Sequence, residues 1–213
     1  VIPPLLVNNI YISNFTEKAE EFKNFFASQC SSIDNGSKIP NGFEPITNKT
    51  LSDIDFSSDD ILNIIGNLNA KKAHGYDNIS IRIVKIFGKS ICRPLELIFR
   101  SCLAAGKFPQ IWKKANVIPI HKKNEKNLLK NYIPISLLPI CSKIFERLIF
   151  NSMYNYISKN NLLSPNQSGF RHGDSCTNQL LSIVHNIHSS FDAYNSLEVR
   201  GVFLDMSKVF DKV

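Results

Sequence analysis

The chain has 213 residues, 43% of them hydrophobic, enough to build a real core as one large domain or two small ones. Its five cysteines (Cys30, Cys92, Cys102, Cys141, Cys176) are odd in number and show no CxxC or Cys/His ligand spacing, which argues against a disulfide framework or a zinc site and for a reducing compartment. No apolar run reaches the ~18–20 residues that span a bilayer. The opening VIPPLLV has neither the basic stretch of a signal peptide nor a Met, so the chain reads as a piece of something longer.

The net charge of +7 is unevenly shared. Residues 1–66 hold 4 Lys/Arg against 9 Asp/Glu, whereas residues 67–213 hold 21 against 9. A basic surplus on the larger part fits a polyanionic partner, nucleic acid before membrane, because Lys and Arg displace counterions from phosphates. It fits a well-solvated basic surface equally.

In the acidic first part, EKAEEFKNFFASQC places Phe22, Phe25 and Phe26 at helical spacing behind acidic residues suited to a helix N-terminus. Residues 31–50 are loop by composition. SSDD at 57–60 resembles a capping box, and Ile61, Leu62, Ile64, Ile65 and Leu68 follow on one face. These stripes read as packing surfaces.

From residue 71 the punctuation changes. KKAHGYDNIS is turn-rich and basic, and RPLELIFRSCLAAG is a helix that should stop at Gly106. KKANVIPIHKK and YIPISLLP are extended runs around the polar loop NEKNLLKN, and together they predict a hairpin in which Pro134 demands an edge position. CSKIFERLIFNSMYNYISKN is a strong helix with Ile144, Phe145, Leu148, Ile149, Met153, Tyr156 and Ile157 on one side. After the loop LLSPNQSGFRHGD comes the helix SCTNQLLSIVHNIHSSFDAY. EVRGVFLD then predicts a strand ending at Asp205.

Three features could carry chemistry. Asp205, with Asp211 beyond it, could ligate a hard cation such as Mg²⁺, which prefers oxygen ligands; two carboxylates at a strand end are also compatible with plain solvation. His172 near Asp174, and His185 with His188, lack HExxH spacing and a nearby acid, and read as surface histidines. Phe108, Trp112 and Tyr132 flank Lys113, Lys114, Lys122, Lys123, Lys126 and Lys130, as stacking residues flank cations in a nucleic-acid groove. A core-anchoring Trp beside a solvated hairpin explains them as well.

Read in order, KKAHGYDNIS, GKFPQIWKKANVIPIHKK, NYIPISLLP, KIFER, LSPNQSGFRHGDSCTNQL and FLDMSKVFD resemble the reverse transcriptase of non-LTR (LINE-type, jockey-like) retrotransposons over roughly residues 57 to 213. The resemblance implies an incomplete fingers–palm polymerase of α+β class. Residues 1–66 would be an acidic helical connector, 67–197 the fingers, and 198–213 the start of the palm. The activity implied is RNA-directed DNA synthesis on an RNA template and DNA primer, with deoxynucleoside triphosphates and two Mg²⁺ ions in the complete enzyme. It further implies no membrane association and a parent element working inside the cell, in nucleus and cytoplasm. Asp205 matches the first catalytic, metal-binding carboxylate, and Met206 would lend a backbone carbonyl to the metal. Phe210 matches the bulky residue that leaves no room for a ribose 2′-hydroxyl. Lys122 and Lys123 would lie near the triphosphate, with Gln167, Gly169 and Arg171 along the nucleotide or template site. Lys113, Lys114, Lys126 and Lys130 would contact nucleic acid.

Three departures from the family pattern stand out. No aromatic-x-Asp-Asp follows Asp205, so this chain alone is expected not to polymerise. Ile133 replaces the Arg of the usual NYRPISLL, and Val209 stands where Ala is usual. A non-catalytic nucleic-acid-binding remnant of such an element is the alternative reading.

Overall fold

The computed structural model describes residues 2–30, 47–192 and 198–205. The order of elements is β1 (Leu5–Val7), β2 (Ile10–Ile12), α1 (Phe15–Cys30), α2 (Ser58–Asn67), α3 (Ile81–Ile86), α4 (Gly88–Ala104), β3 (Asn116–His121), β4 (Tyr132–Leu137), α5 (Ile140–Lys159) and α6 (Cys176–Asp192). Helices dominate and the two sheets are each a two-stranded antiparallel hairpin, an arrangement compatible with the α+β class. No helix is long and apolar enough to cross a membrane among the described residues.

Helix α2 begins as its sequence dictates. The Asp60 backbone N–H donates to the Ser57 hydroxyl, and the Ser57 backbone N–H donates to the Asp60 carboxylate, a reciprocal capping box. Its buried face, Ile61 and Ile65, enters a core shared with Ile81, Val84, Leu95, Phe99, Ile144, Phe145 and Leu148 of α3, α4 and α5. Phe99 lies fully buried at the centre, stacked on Phe145 at 4.8 Å and edge-on to Trp112 at 5.6 Å.

Helix α4 starts earlier than RPLELIF suggests and runs through Pro94, whose missing N–H leaves the Ser90 carbonyl without its helical donor. It ends where expected. Gly106 adopts φ +60°, and the Lys107 N–H returns to the Cys102 carbonyl, a turn that favours glycine.

A buried carboxylate ties this core together. Glu96 accepts hydrogen bonds from the Ser58 hydroxyl (2.6 Å), Arg93 Nη1 (3.0 Å) and Arg100 Nε (3.0 Å), while Arg100 Nη2 reaches Asp55 and the Phe56 carbonyl. The Ser58 hydroxyl, with the two guanidinium groups, holds the Glu96 pKa down at about 2.

The predicted hairpin is β3–β4, with Pro119 directly opposite Pro134. A two-stranded sheet has only edges, so neither proline interrupts a ladder with a third strand. One face, through Val117, Pro119 and Tyr132, turns toward α1; Phe22 meets Tyr132 edge-on at 4.9 Å. The acidic first part is therefore packed on the hairpin, with Leu5, Phe22, Phe26 and Tyr132 forming a second core.

The structure departs from the sequence reading in two places. The hairpin β1–β2, closed by Asn8 and Asn9 at positive φ, has no counterpart in the sequence reading. Conversely, residues 198–205 are not a strand. The apolar run is present, but among the described residues no neighbouring backbone supplies a ladder, and propensity alone does not hold a lone strand in water.

Candidate nucleic-acid interface

The cations of the hairpin gather at its two ends. Lys113 and Lys114 precede β3, while Lys122, Lys123, Lys126 and Lys130 lie in the loop that joins it to β4; all are exposed. Six residues of strand separate the groups by about 20 Å. The two clusters therefore cannot meet one phosphate, but could track a strand along the hairpin.

The connecting loop is firmly held. The Lys122 N–H donates to the Asn131 carbonyl (2.9 Å), buried Asn131 donates its amide to the Glu125 carbonyl (2.8 Å), and the Tyr132 hydroxyl donates to the Lys126 carbonyl (2.6 Å). From the first hairpin, the Leu6 N–H reaches the Asn127 carbonyl at 2.8 Å. Fixed carbonyls under free lysine side chains make a preorganised cationic turn. Among the described residues none of these lysine ammonium groups forms an ion pair.

The outward face of the hairpin is apolar. Ile118 pairs with Ile135 and Ile120 with Ile133, each about two-fifths exposed. Ile133 thus lies on the open face, where the resemblance expects an Arg. The aromatics resolve the other way from a stacking role: Trp112 and Phe108 pack on Phe145, and Tyr132 is buried against Phe22. Their rings complete the two cores, which is where that much apolar surface is stabilised most.

Gln167, Gly169 and Arg171 lie in an exposed loop between α5 and α6. The loop is bonded to itself, Gln167 Nε2 to the Gly169 carbonyl (3.2 Å) and Arg171 Nη1 to the Ser164 carbonyl (3.3 Å). Asp205 ends the fully exposed run Val202, Phe203, Leu204. No hydrogen bond or ion pair among the described residues joins the hairpin loop, the 167–171 loop and Asp205 into one site. Met206, Val209, Phe210 and Asp211 lie outside the described residues.

Of the residues that the resemblance assigns to Mg²⁺, Asp205 alone lies among the described residues. Among the described residues there is no group of three His, Cys, Asp or Glu side chains that could hold a metal. Asp205 alone supplies one carboxylate, and a protein-held Mg²⁺ draws on one or two carboxylates with substrate phosphates.

One close approach positions the basic turn. A Cβ on Gly75 would lie 2.6 Å from the Pro139 nitrogen and 2.7 Å from the Leu138 carbonyl carbon. HGYD therefore seats directly against the β4–α5 junction, and Tyr76 donates its hydroxyl to the Ile111 carbonyl at 2.8 Å. A feature that the sequence reading missed lies beside it, a groove of about 600 Å³ between α2, the 69–72 turn and α5.

No family model matches the chain. Known relatives do. It is 34% identical over 157 residues to the RNA-directed DNA polymerase from mobile element jockey of Drosophila melanogaster. Over 156 residues it is 33% identical to the probable RNA-directed DNA polymerase from transposon BS, and over 159 residues 30% identical to that from transposon X-element, both of the same fly. These likenesses cover 73–74% of this chain and 17% of each relative, so the chain spans about a sixth of their length. The class they define is that of retrotransposon polymerases. Within it, the chain belongs to the jockey-like family of non-LTR retrotransposon reverse transcriptases.

Proposed function

We propose that this chain is the fingers and the start of the palm of an RNA-directed DNA polymerase, with residues 67–197 as fingers, 198–213 as the opening of the palm and 1–66 as the preceding connector. The observation that carries the reading is the 30–34% identity to mobile-element polymerases over nearly three-quarters of the chain. The cationic turn of the β3–β4 hairpin supports it, because exposed lysines without an ion pair among the described residues can displace counterions from a polyanion.

In this reading Lys122 and Lys123 meet the triphosphate of an incoming deoxynucleotide, and Lys113, Lys114, Lys126 and Lys130 meet phosphates of the RNA template or DNA primer. Gln167, Gly169 and Arg171 line the template or nucleotide side. Asp205 is the one catalytic carboxylate the chain contributes, with the Met206 carbonyl beside it, and Phe210 excludes a 2′-hydroxyl by bulk. Two Mg²⁺ ions need carboxylates besides Asp205, so the 213-residue chain by itself binds nucleic acid without extending a primer. Ile133, apolar and outward, weakens the triphosphate grip relative to an Arg and is what favours the second reading, a binding remnant.

The test is the affinity of the chain for a labelled RNA oligonucleotide across roughly 50–200 mM salt. Affinity should fall steeply with salt, and Lys126→Gln with Lys130→Gln should flatten the slope by about 0.7 per lost phosphate contact. A salt-independent affinity would refute the reading.

A further inference from the structure

Helix α5 has two faces. Ile144, Phe145 and Leu148 are buried in the core, while Lys143, Arg147, Phe150 and Tyr154 form a second stripe at spacings of four, three and four residues. Side chains so spaced stand one above the other on a helix.

The stripe begins in the 600 Å³ groove, where Lys72 from the turn after α2 joins Lys143 and Arg147. Among the described residues, no carboxylate pairs with any of these three cations. Glu146 also lines the groove, but its carboxylate accepts the hydroxyl of buried Ser142 at 2.7 Å. Three cations thus face one already engaged acid.

Aromatic side chains continue the stripe. The Arg147 guanidinium lies over the Phe150 ring at 5.4 Å, and Phe150 is 43% exposed. Tyr154 stacks on Phe150 at 5.5 Å, and the His172 ring meets Tyr154 edge-on at 4.8 Å. The Tyr154 hydroxyl accepts the His172 backbone N–H at 2.8 Å, which holds this end of the ladder beside Arg171. The result is a track with phosphate-binding groups at one end and aromatic groups at the other. Arg147, preset by Phe150, offers a guanidinium plane and five donors with no acceptor among the described residues.

We infer that this α5 track binds a single-stranded nucleic acid, its phosphates on Lys72, Lys143 and Arg147 and its bases against the Arg147–Phe150–Tyr154 ladder. Cations beside sequence-tolerant stacking surfaces are what a single strand recognises. A duplex, whose bases face inward, could use only the cations. The groove is lined by no residue of the β3–β4 loop, and the track is a contact additional to the one proposed there.

The test measures anisotropy of labelled oligouridine about 12 nucleotides long, with oligothymidine of equal length to separate RNA from DNA preference. Lys143→Gln with Arg147→Gln should weaken binding about tenfold and lower the salt slope by about 1.4, two contacts at 0.7 each. Phe150→Ala should weaken it roughly 5- to 150-fold, the range for one lost base stack, and leave the slope unchanged. If both variants bind as tightly as the parent chain, the track is refuted, even where Lys126→Gln and Lys130→Gln still weaken binding and uphold the hairpin reading. Should Phe150→Ala fail to fold, photocrosslinking of 4-thiouridine RNA to the unaltered chain decides. Adducts on Phe150 or Tyr154 support the track, and adducts confined to residues 122–130 overturn it.

Discussion

Replacing Gly75 by Ala tests how the basic turn is seated. The added Cβ would lie 2.6, 2.7 and 2.8 Å from the Pro139 nitrogen and the Leu138 carbonyl carbon and oxygen. All three are backbone atoms, so no rotamer change relieves the contact. Restoring an ordinary 3.4 Å separation requires an opening of about 0.8 Å between the 73–77 turn and the β4–α5 junction. Overpacking of this kind costs roughly 1–3 kcal/mol. At about 2–4 °C per kcal/mol for a chain of this size, the melting temperature should fall by ~2–12 °C. Gly66→Ala, in the last turn of α2, is the control: its Cβ meets nothing within 4 Å, so no fall in stability is expected. Thermal and urea unfolding of both variants would decide. An unchanged urea midpoint for Gly75→Ala would refute the seating.

Other perturbations reach the remaining parts of the fold and the interface. Phe22→Ala should cost about 3–5 kcal/mol and speed hydrogen exchange of the Lys122 amide, because Phe22 backs Tyr132 and so the hairpin; unchanged exchange would separate the two cores. The Glu96 carboxyl titrates at about 2 instead of 4.5, so its stabilising effect is complete above pH 4.5 and is lost as pH falls toward 2. The melting temperature should drop across that window, and Glu96→Gln should remove much of the drop; equal pH profiles would contradict the network. In a chain joined to a relative's remaining palm, Ile133→Arg should lower the deoxynucleotide KM about tenfold or more, the equivalent of roughly 1.5–3 kcal/mol for a charge-assisted contact. An unchanged KM would take position 133 away from the triphosphate.

What the sequence made legible was mostly local. The Ser57–Asp60 box, the Gly106 stop and the extended runs around NEKNLLKN are short-range signals, and each became the element it predicted. Where a residue's role depends on what lies across from it, the sequence was silent. Trp112 beside two lysines suits a core and a stacking groove equally; only the Phe99 and Phe145 rings decide. EVRGVFLD has strand propensity but no pairing partner among the described residues. The Asn8–Asn9 turn needs two residues in left-handed conformation, a preference Asn tolerates without announcing. The α5 track was hidden because Phe150 and Tyr154 resemble core residues, and Lys72 joins them from another element. The family, by contrast, was legible from six ordered motifs, although the residues they name stand in three separate places on the chain.

The most direct measurement of the central claim is RNA-templated primer extension by a chimera in which this chain replaces the matching segment of the jockey polymerase. Incorporation of deoxynucleotides with Mg²⁺, abolished by Asp205→Asn and retained by Asp205→Glu at reduced rate, is the predicted result. Extension that proceeds unchanged with Asn at position 205 would contradict it.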